Sequence, residues 1–147
     1  MRVWYLDDPA KALSLEDLQN FVKFTAYPAR PEECSEELLK SLMKEKGYHS
    51  IMPIWGSDGS GKYKQMVNAA LREHKHAIEE IRYVERGVDW LDVRDIHDNW
   101  VRIEMTTGDL AILPSNTYHR AVFRQEPATV TLVVPDEKLH VPFFREA

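Results

Sequence analysis

Glu73-His-Lys-His-Ala-Ile-Glu-Glu80 sets two histidines two residues apart with an acid four beyond the second, and Pro114-Ser-Asn-Thr-Tyr-His119 adds a third histidine thirty-nine residues after that acid. Side chains alternate faces along an extended strand, so His74 and His76 share a face, and Glu80 can share it too. His119 lies far enough downstream to come from a different strand. Three imidazoles and one carboxylate gathered from separate strands describe a mononuclear metal site with His74, His76, Glu80 and His119 as its ligands. The first stretch alone would equally suit a charged segment whose histidines face water, because short motifs recur by chance. The surrounding spacing decides between the two. Six residues separate Glu80 from Gly87, five separate Gly108 from Pro114, and His119 stands five beyond Pro114. Glycine suits tight turns between strands and proline suits a strand end.

A chain of 147 residues, 44% apolar and 29% charged, is long enough for one domain with a proper core. Its net charge of −5 and pI near 5.7, with no run of Lys and Arg, argue against a nucleic-acid partner, which needs a concentrated basic surface. No window approaches the roughly 18 apolar residues of a membrane span. The start, Met1-Arg-Val-Trp-Tyr-Leu-Asp-Asp8, has no long apolar core, so an intracellular, cytoplasmic protein is expected. Cys34 is the one cysteine; it can form no internal disulfide, fits a reducing compartment and reads as an inert thiol.

Residues 1 to 6 read as a short strand. Ser14-Leu-Glu-Asp17 is a helix-start signal leading into Leu18, Phe21, Val22 and Phe24. Pro28 and Pro31 then break the chain before Ser35, which is expected to cap a second helix carrying Leu38, Leu39, Leu42 and Met43 to a stop at Gly47. Residues 48 to 54 form an apolar strand, and a third helical stretch is expected from about Tyr63 to Glu73, with Met66, Val67, Ala70 and Leu71 at helical spacing. Beyond it the pattern turns to strands at 88–93, 100–105, 110–113, 119–123 and 129–134. The fold class is mainly β: a barrel or jelly roll with N-terminal α-helices in front. Gly56-Ser-Asp-Gly-Ser-Gly-Lys62 fits the spacing of a phosphate-binding loop, but the next residue is Tyr63 where Ser or Thr normally helps hold magnesium. The chain also lacks the alternating strands and helices of a nucleotide-binding fold, so a surface loop is expected here.

The glycine, proline and ligand spacings are those of the two cupin motifs, whose fold is a double-stranded β-helix. Closer still, the chain resembles acireductone dioxygenase. The resemblance is carried by Val3-Trp-Tyr-Leu-Asp-Asp8, Gly47-Tyr-His-Ser-Ile51, Glu73-His-Lys-His76, Glu80-Ile-Arg-Tyr83, Trp90-Leu-Asp-Val-Arg-Asp95, Trp100-Val-Arg-Ile-Glu-Met105 and Gly108-Asp-Leu-Ala-Ile-Leu-Pro-Ser-Asn-Thr-Tyr-His-Arg120. It spans residue 1 to about 120 and fades beyond His119. His74, His76, Glu80 and His119 match the family's four ligands one for one.

That resemblance implies Fe(II), with Ni(II) or another divalent transition metal as the alternative, and two coordination positions left for a chelating 1,2-dihydroxy-3-keto substrate. Imidazole and carboxylate donors suit such metals, and the lack of thiolates argues against structural zinc. In the implied reaction of methionine salvage, O2 attacks the enediolate and carbon–carbon bonds break. Iron directs the products to a 2-keto acid and formate, and nickel to a carboxylic acid, formate and carbon monoxide. The implied partners are the small-molecule substrate and O2, in a monomer or homodimer.

Arg82, two residues after Glu80, shares its strand face and is read as a catalytic cation for a substrate oxyanion, against a structural ion pair with Glu104 or another acid. Glu73 is a minor candidate for holding an imidazole tautomer. His49, His97 and His140 read as surface histidines. The chain departs from the family in three places near the site. Ala121 follows His119-Arg120 where an aromatic residue is usual, Val130-Thr-Leu-Val-Val134 lacks an expected arginine, and Asn116 replaces a glycine while tolerating the same left-handed geometry. The family's usual C-terminal tail is also shorter here. These changes imply a larger, less cationic pocket, and they keep two alternatives open: a cupin metalloenzyme for a different small chelating substrate, or a non-catalytic metal-binding cupin.

Overall fold

Period-two burial is clearest in β7 (Trp100–Thr106), where Val101, Ile103 and Met105 are buried while the residues between them are half-buried. That pattern needs one face against a core and one against solvent. The computed structural model describes residues 1–55, 69–122, 124–126 and 128–146. The phosphate-loop-like stretch and most of the third predicted helix lie outside them.

Two antiparallel sheets face each other. The first runs β1 (Arg2–Tyr5), β7, β6 (Val88–Arg94), β9 (His119–Ala121), β4 (His74–Lys75) and β11 (Phe143–Phe144) from edge to edge. The second runs β2 (Thr25–Tyr27), β8 (Leu110–Leu113), β5 (Glu80–Arg86), β10 (Thr129–Val134) and β3 (Ser50–Trp55). The mainly β jelly-roll expectation holds, with β2 and β11 as strands the sequence did not announce. β9 is shorter than read, ending at Ala121.

Helix α1 (Leu15–Val22) begins as its sequence dictates: Ser14 Oγ accepts from the Asp17 amide, and Asp17 returns the bond to the Ser14 amide. Its last turn is closed by Lys23 in the left-handed region, which leaves Phe24 outside the helix and fully buried in the core. Helix α2 (Ser35–Lys46) stops at Gly47, φ +70°. Its cap is Cys34 rather than Ser35, which forms the first turn, and no side-chain bond caps it.

The core has two parts. Between the sheets, Leu18, Phe24, Val84, Leu91, Ile103 and Leu132 are buried together. Outside the second sheet, Leu42 of α2 covers Ile81, Tyr83, Leu110 and Val133. β5 is therefore buried on both faces, with Ile81 and Tyr83 toward α2 and Glu80 and Arg82 inward. Below it, Asp109 accepts from the amides of Ala29 and Thr106, fastening β8 to the loop ahead of α2.

Gly108 turns between β7 and β8 with φ +89°, and a Cβ there would meet Ala29 Cβ at 3.0 Å. Replacing Gly108 with Ala combines a left-handed cost of roughly 1–2 kcal/mol with that contact. A urea denaturation midpoint below the wild type's is expected, and an unchanged midpoint would show that the turn relaxes without strain.

Candidate metal centre

His74 opens β4 and is the direct cross-strand partner of His119, the first residue of β9. Partners opposite one another in a ladder project on the same face, and the two rings lie 4.4 Å apart. His76 follows the end of β4, and its carbonyl accepts from the Asn116 amide at 2.7 Å. Asn116 holds φ +59°, the left-handed geometry expected of it. That bond ties the two histidine-bearing stretches together.

Glu80 arrives from the opposite sheet as the first residue of β5. His74, His76 and Glu80 thus do not lie along one strand, as the spacing had suggested. Six extended residues would separate His74 from Glu80 by about 20 Å, whereas donors to one ion lie within about 4 Å of each other. A bend at residues 77–78 carries the chain from one sheet to the other and brings the carboxylate back. Glu79, beside it, is held by Lys46 Nζ and Tyr48 Oη, each at 2.6 Å, so α2 and the residues after it brace the crossing. Burial, together with the same carboxylate, pushes the Tyr48 phenol up to about 12.

Each of these imidazoles has its Nδ1 engaged by a backbone carbonyl: His74 with Arg72 O at 2.6 Å, His76 with Val141 O at 3.0 Å and His119 with Thr117 O at 2.7 Å. A carbonyl only accepts, so each Nδ1 carries the proton and each Nε2 presents a lone pair. One nitrogen from each of the three rings falls within 4.8 Å of the other two. Glu80 Oε1 stands 3.7 Å from His119 Nε2, and Glu80 Oε2, fully buried, has no hydrogen-bond partner among the described residues. Oε1, on the imidazole side of this buried carboxylate, would be satisfied by a cation shared with the three imidazole nitrogens, while Oε2 faces the Arg82 guanidinium, 3.6 Å from Nη1. The donor set, three nitrogens and a carboxylate without thiolate, fits a divalent transition metal.

Burial holds the imidazoles in the neutral form that ligation requires: it lowers His74, brings His76 down to about 4 and His119 to about 3. For Glu80 burial acts the other way, but the adjacent His140 imidazole and the Arg82 guanidinium outweigh it and keep the carboxyl well below its usual range.

Arg82 lies inward, only 7% exposed. Its Nε donates to Asp89 Oδ2 at 2.8 Å, and Nη1 stands 3.6 Å from Glu80 Oε2. Glu104 instead binds Arg2 and Trp90. Glu73 holds no imidazole: it accepts from Arg94 at 2.8 Å and Arg145 at 3.0 Å, so the tautomers depend on backbone carbonyls. His49 and His97 are exposed. His140 is not a surface histidine. Its side chain is 9% exposed, its ring stacks on His76 at 3.9 Å, and its Nε2 lies 3.8 Å from Glu80 Oε1. Nothing in its local sequence marks it, because residues 135–146 reach the site only by folding back over β4. A cavity of about 140 Å³ opens on the four candidate ligands, Arg82 and His140, with Ala121, Leu91 and Leu132 among its apolar walls.

Residues 6–132 match the model of the ARD/ARD' family. The acireductone dioxygenase of Branchiostoma floridae is 34% identical over 134 residues, covering 82% of this chain and 74% of its own length. That of Dictyostelium discoideum is 32% identical over 120 residues and 82% of each chain. The chain belongs to the acireductone dioxygenase family. Family membership makes it a metal-dependent dioxygenase. The fold agrees with that of the acireductone dioxygenase from Bacillus anthracis with a cadmium ion in its active centre, at a TM-score of 0.77 over 97% of both chains and 14% identity.

The depressed imidazoles set the pH response of the metal-free protein. Unfolded histidine ionises near about 6.5, while His76 and His119 stay neutral in the fold down to about 4 and 3. Between those values the unfolded chain binds more protons, so this stability is present above pH ~6.5 and lost as pH falls toward 4. After chelator treatment the denaturation midpoint is expected to be lower at about pH 5 than at about pH 7.5. Equal midpoints would show that these histidines titrate alike folded and unfolded.

Proposed function

We propose that this chain cleaves an acireductone-type enediol, a 1,2-dihydroxy-3-keto compound, with O2 in methionine salvage, using Fe(II) held by His74, His76, Glu80 and His119. Ni(II) at the same ligands is the alternative. One observation carries this reading: three histidine nitrogens and the buried Glu80 carboxylate line one cavity, each imidazole held in the ligating tautomer. The bound metal would orient the chelating substrate and favour its ionised form.

The protein's own part is positioning and charge. Arg82, anchored by Asp89 and buried against the ligands, would face the negative charge of the enediolate, where a cation shielded from water acts strongly. Its contact with Asp89 fixes the guanidinium before substrate arrives. The apolar walls exclude water from the reacting carbons. The chain would work as a single cytoplasmic domain, monomeric or homodimeric, with a small substrate and O2 as its only partners.

A second reading follows from the walls. Ala121 and Leu132 line the cavity, so a substrate with a bulkier apolar tail and less negative charge away from the enediol fits the same metal chemistry.

Oxygen consumption by the iron-reconstituted protein with acireductone is expected, yielding a keto acid and formate, with a His76→Ala variant inactive. Metal-loaded protein that takes up no oxygen with acireductone but does so with a longer-tailed enediol would favour the second reading. Arg82→Lys is expected to lose roughly 10²-fold in kcat at unchanged metal content, because lysine retains the charge without the fixed geometry. A kcat within twofold of wild type would remove Arg82 from the chemistry.

A further inference from the structure

His140 lies beyond the residues that the family model matches, 6–132, yet its imidazole is inside the metal cavity. The segment that carries it is tied down on both sides. A 3-10 turn at Glu137–Leu139 precedes it, capped by the Asp136 side chain. After it, Val141 O takes the Nδ1 proton of His76, and β11 pairs with β4, Phe143 opposite Lys75 and Phe144 opposite His74. Arg145 closes the segment through Glu73 at 3.0 Å and Asp98 at 2.6 Å. Exposed ion pairs of this kind contribute little individually, but here they act together with the strand pairing.

The His140 side chain is 9% exposed, and its Nε2 is buried without a hydrogen-bond partner among the described residues. A polar atom kept in this state is costly unless something reaches it. Glu80 Oε1, at 3.8 Å, is beyond hydrogen-bond range. One ligating atom each of His76, Glu80 and His140 also lies within 4.8 Å of the other two, but the ring planes of the two histidines do not suit a shared ion. The two rings are stacked with an interplanar angle of 24° and centroids 3.9 Å apart, and imidazole lone pairs lie in the ring plane, so nearly parallel planes do not aim at one point.

We propose that His140 is a substrate-contacting residue, its Nε2 donating a hydrogen bond to an oxygen of the anionic chelating ligand beside the metal. The proposal rests on the enediol reading above. It gives the pocket a second polar group besides Arg82, delivered by the segment between the 3-10 turn and β11 rather than by the barrel, and it offsets the cationic residue missing from β10.

The test is titration of the cobalt(II)-loaded full chain with acetohydroxamate, a two-oxygen anionic chelator, followed by the visible spectrum of the metal. His140→Phe keeps a flat ring against His76 and removes both nitrogens; His140→Gln keeps a donor. The expected result is roughly tenfold weaker chelator binding in His140→Phe, most of the affinity retained in His140→Gln, and cobalt content equal to wild type in both. Wild-type affinity in His140→Phe would reduce the residue to packing. Cobalt lost from His140→Phe as from His76→Ala would make it a ligand, and a wild type that binds no chelator would remove its proposed partner; each overturns the proposal. Oxygen uptake with acireductone, measured separately, reports on the substrate reading. If uptake is absent but the titration behaves as expected, that reading fails and the role of His140 stands; if uptake is present but the titration is flat, the reverse holds.

Discussion

Three backbone carbonyls, those of Arg72, Val141 and Thr117, each hold the Nδ1 proton of one histidine. The site depends on this arrangement, because an imidazole free to take either tautomer would present a lone pair in only part of its population. Backbone acceptors are firm partners, since their positions are set by strands and turns rather than by side-chain rotamers. Two of the three lie two residues before the histidine they hold, so the local turn that delivers the ligand also orients it. The third comes from a segment 65 residues away in sequence, which makes the metal centre partly a product of how residues 135–146 fold back.

The electrostatics follow from the same geometry. A carboxylate as buried as Glu80 would favour its neutral form in an apolar surrounding. Arg82 and the imidazoles around it reverse that preference, and Asp89 in turn balances Arg82. The alternation of β5 makes this compact, placing Glu80 and Arg82 two residues apart on the inward face while Ile81 and Tyr83 close the outer face under α2. A similar cluster lies away from the cavity, where Asp92 is fully buried beneath Arg102 and Arg120. It joins β6, β7 and β9 behind His119, so the strand that presents this candidate ligand is held from the side opposite the cavity.

Most of the barrel could be read directly. β6, β7, β8 and β10 carry β-branched and apolar residues between turn residues, and the capping box at Ser14 and the stop at Gly47 are local signals that need no tertiary context. The four candidate ligands were equally visible, since their spacing is a property of the motif. Hidden were the features that depend on contacts between distant segments: the short strands β2 and β11, of three and two residues, too short for any periodicity, and the partners of Glu73. His140 was misread for the same reason. Flanked by exposed Leu139 and Val141, it has the local character of a surface residue, and only the return of the chain over β4 buries its ring.

By itself, the sequence determined the order of the candidate donors, the inward placement of Arg82 relative to Glu80, and the mainly β class, because each follows from residue type and a fixed repeat along the chain. Only the tertiary structure decided that Glu80 reaches His74, His76 and His119 from the opposite sheet, that backbone carbonyls rather than Glu73 set the tautomers, and that His140 shares the cavity. A strand pattern specifies which side of its own sheet a residue faces. Which groups meet it there depends on how the sheets and the final segment close over one another, and that distance is not encoded in any local repeat.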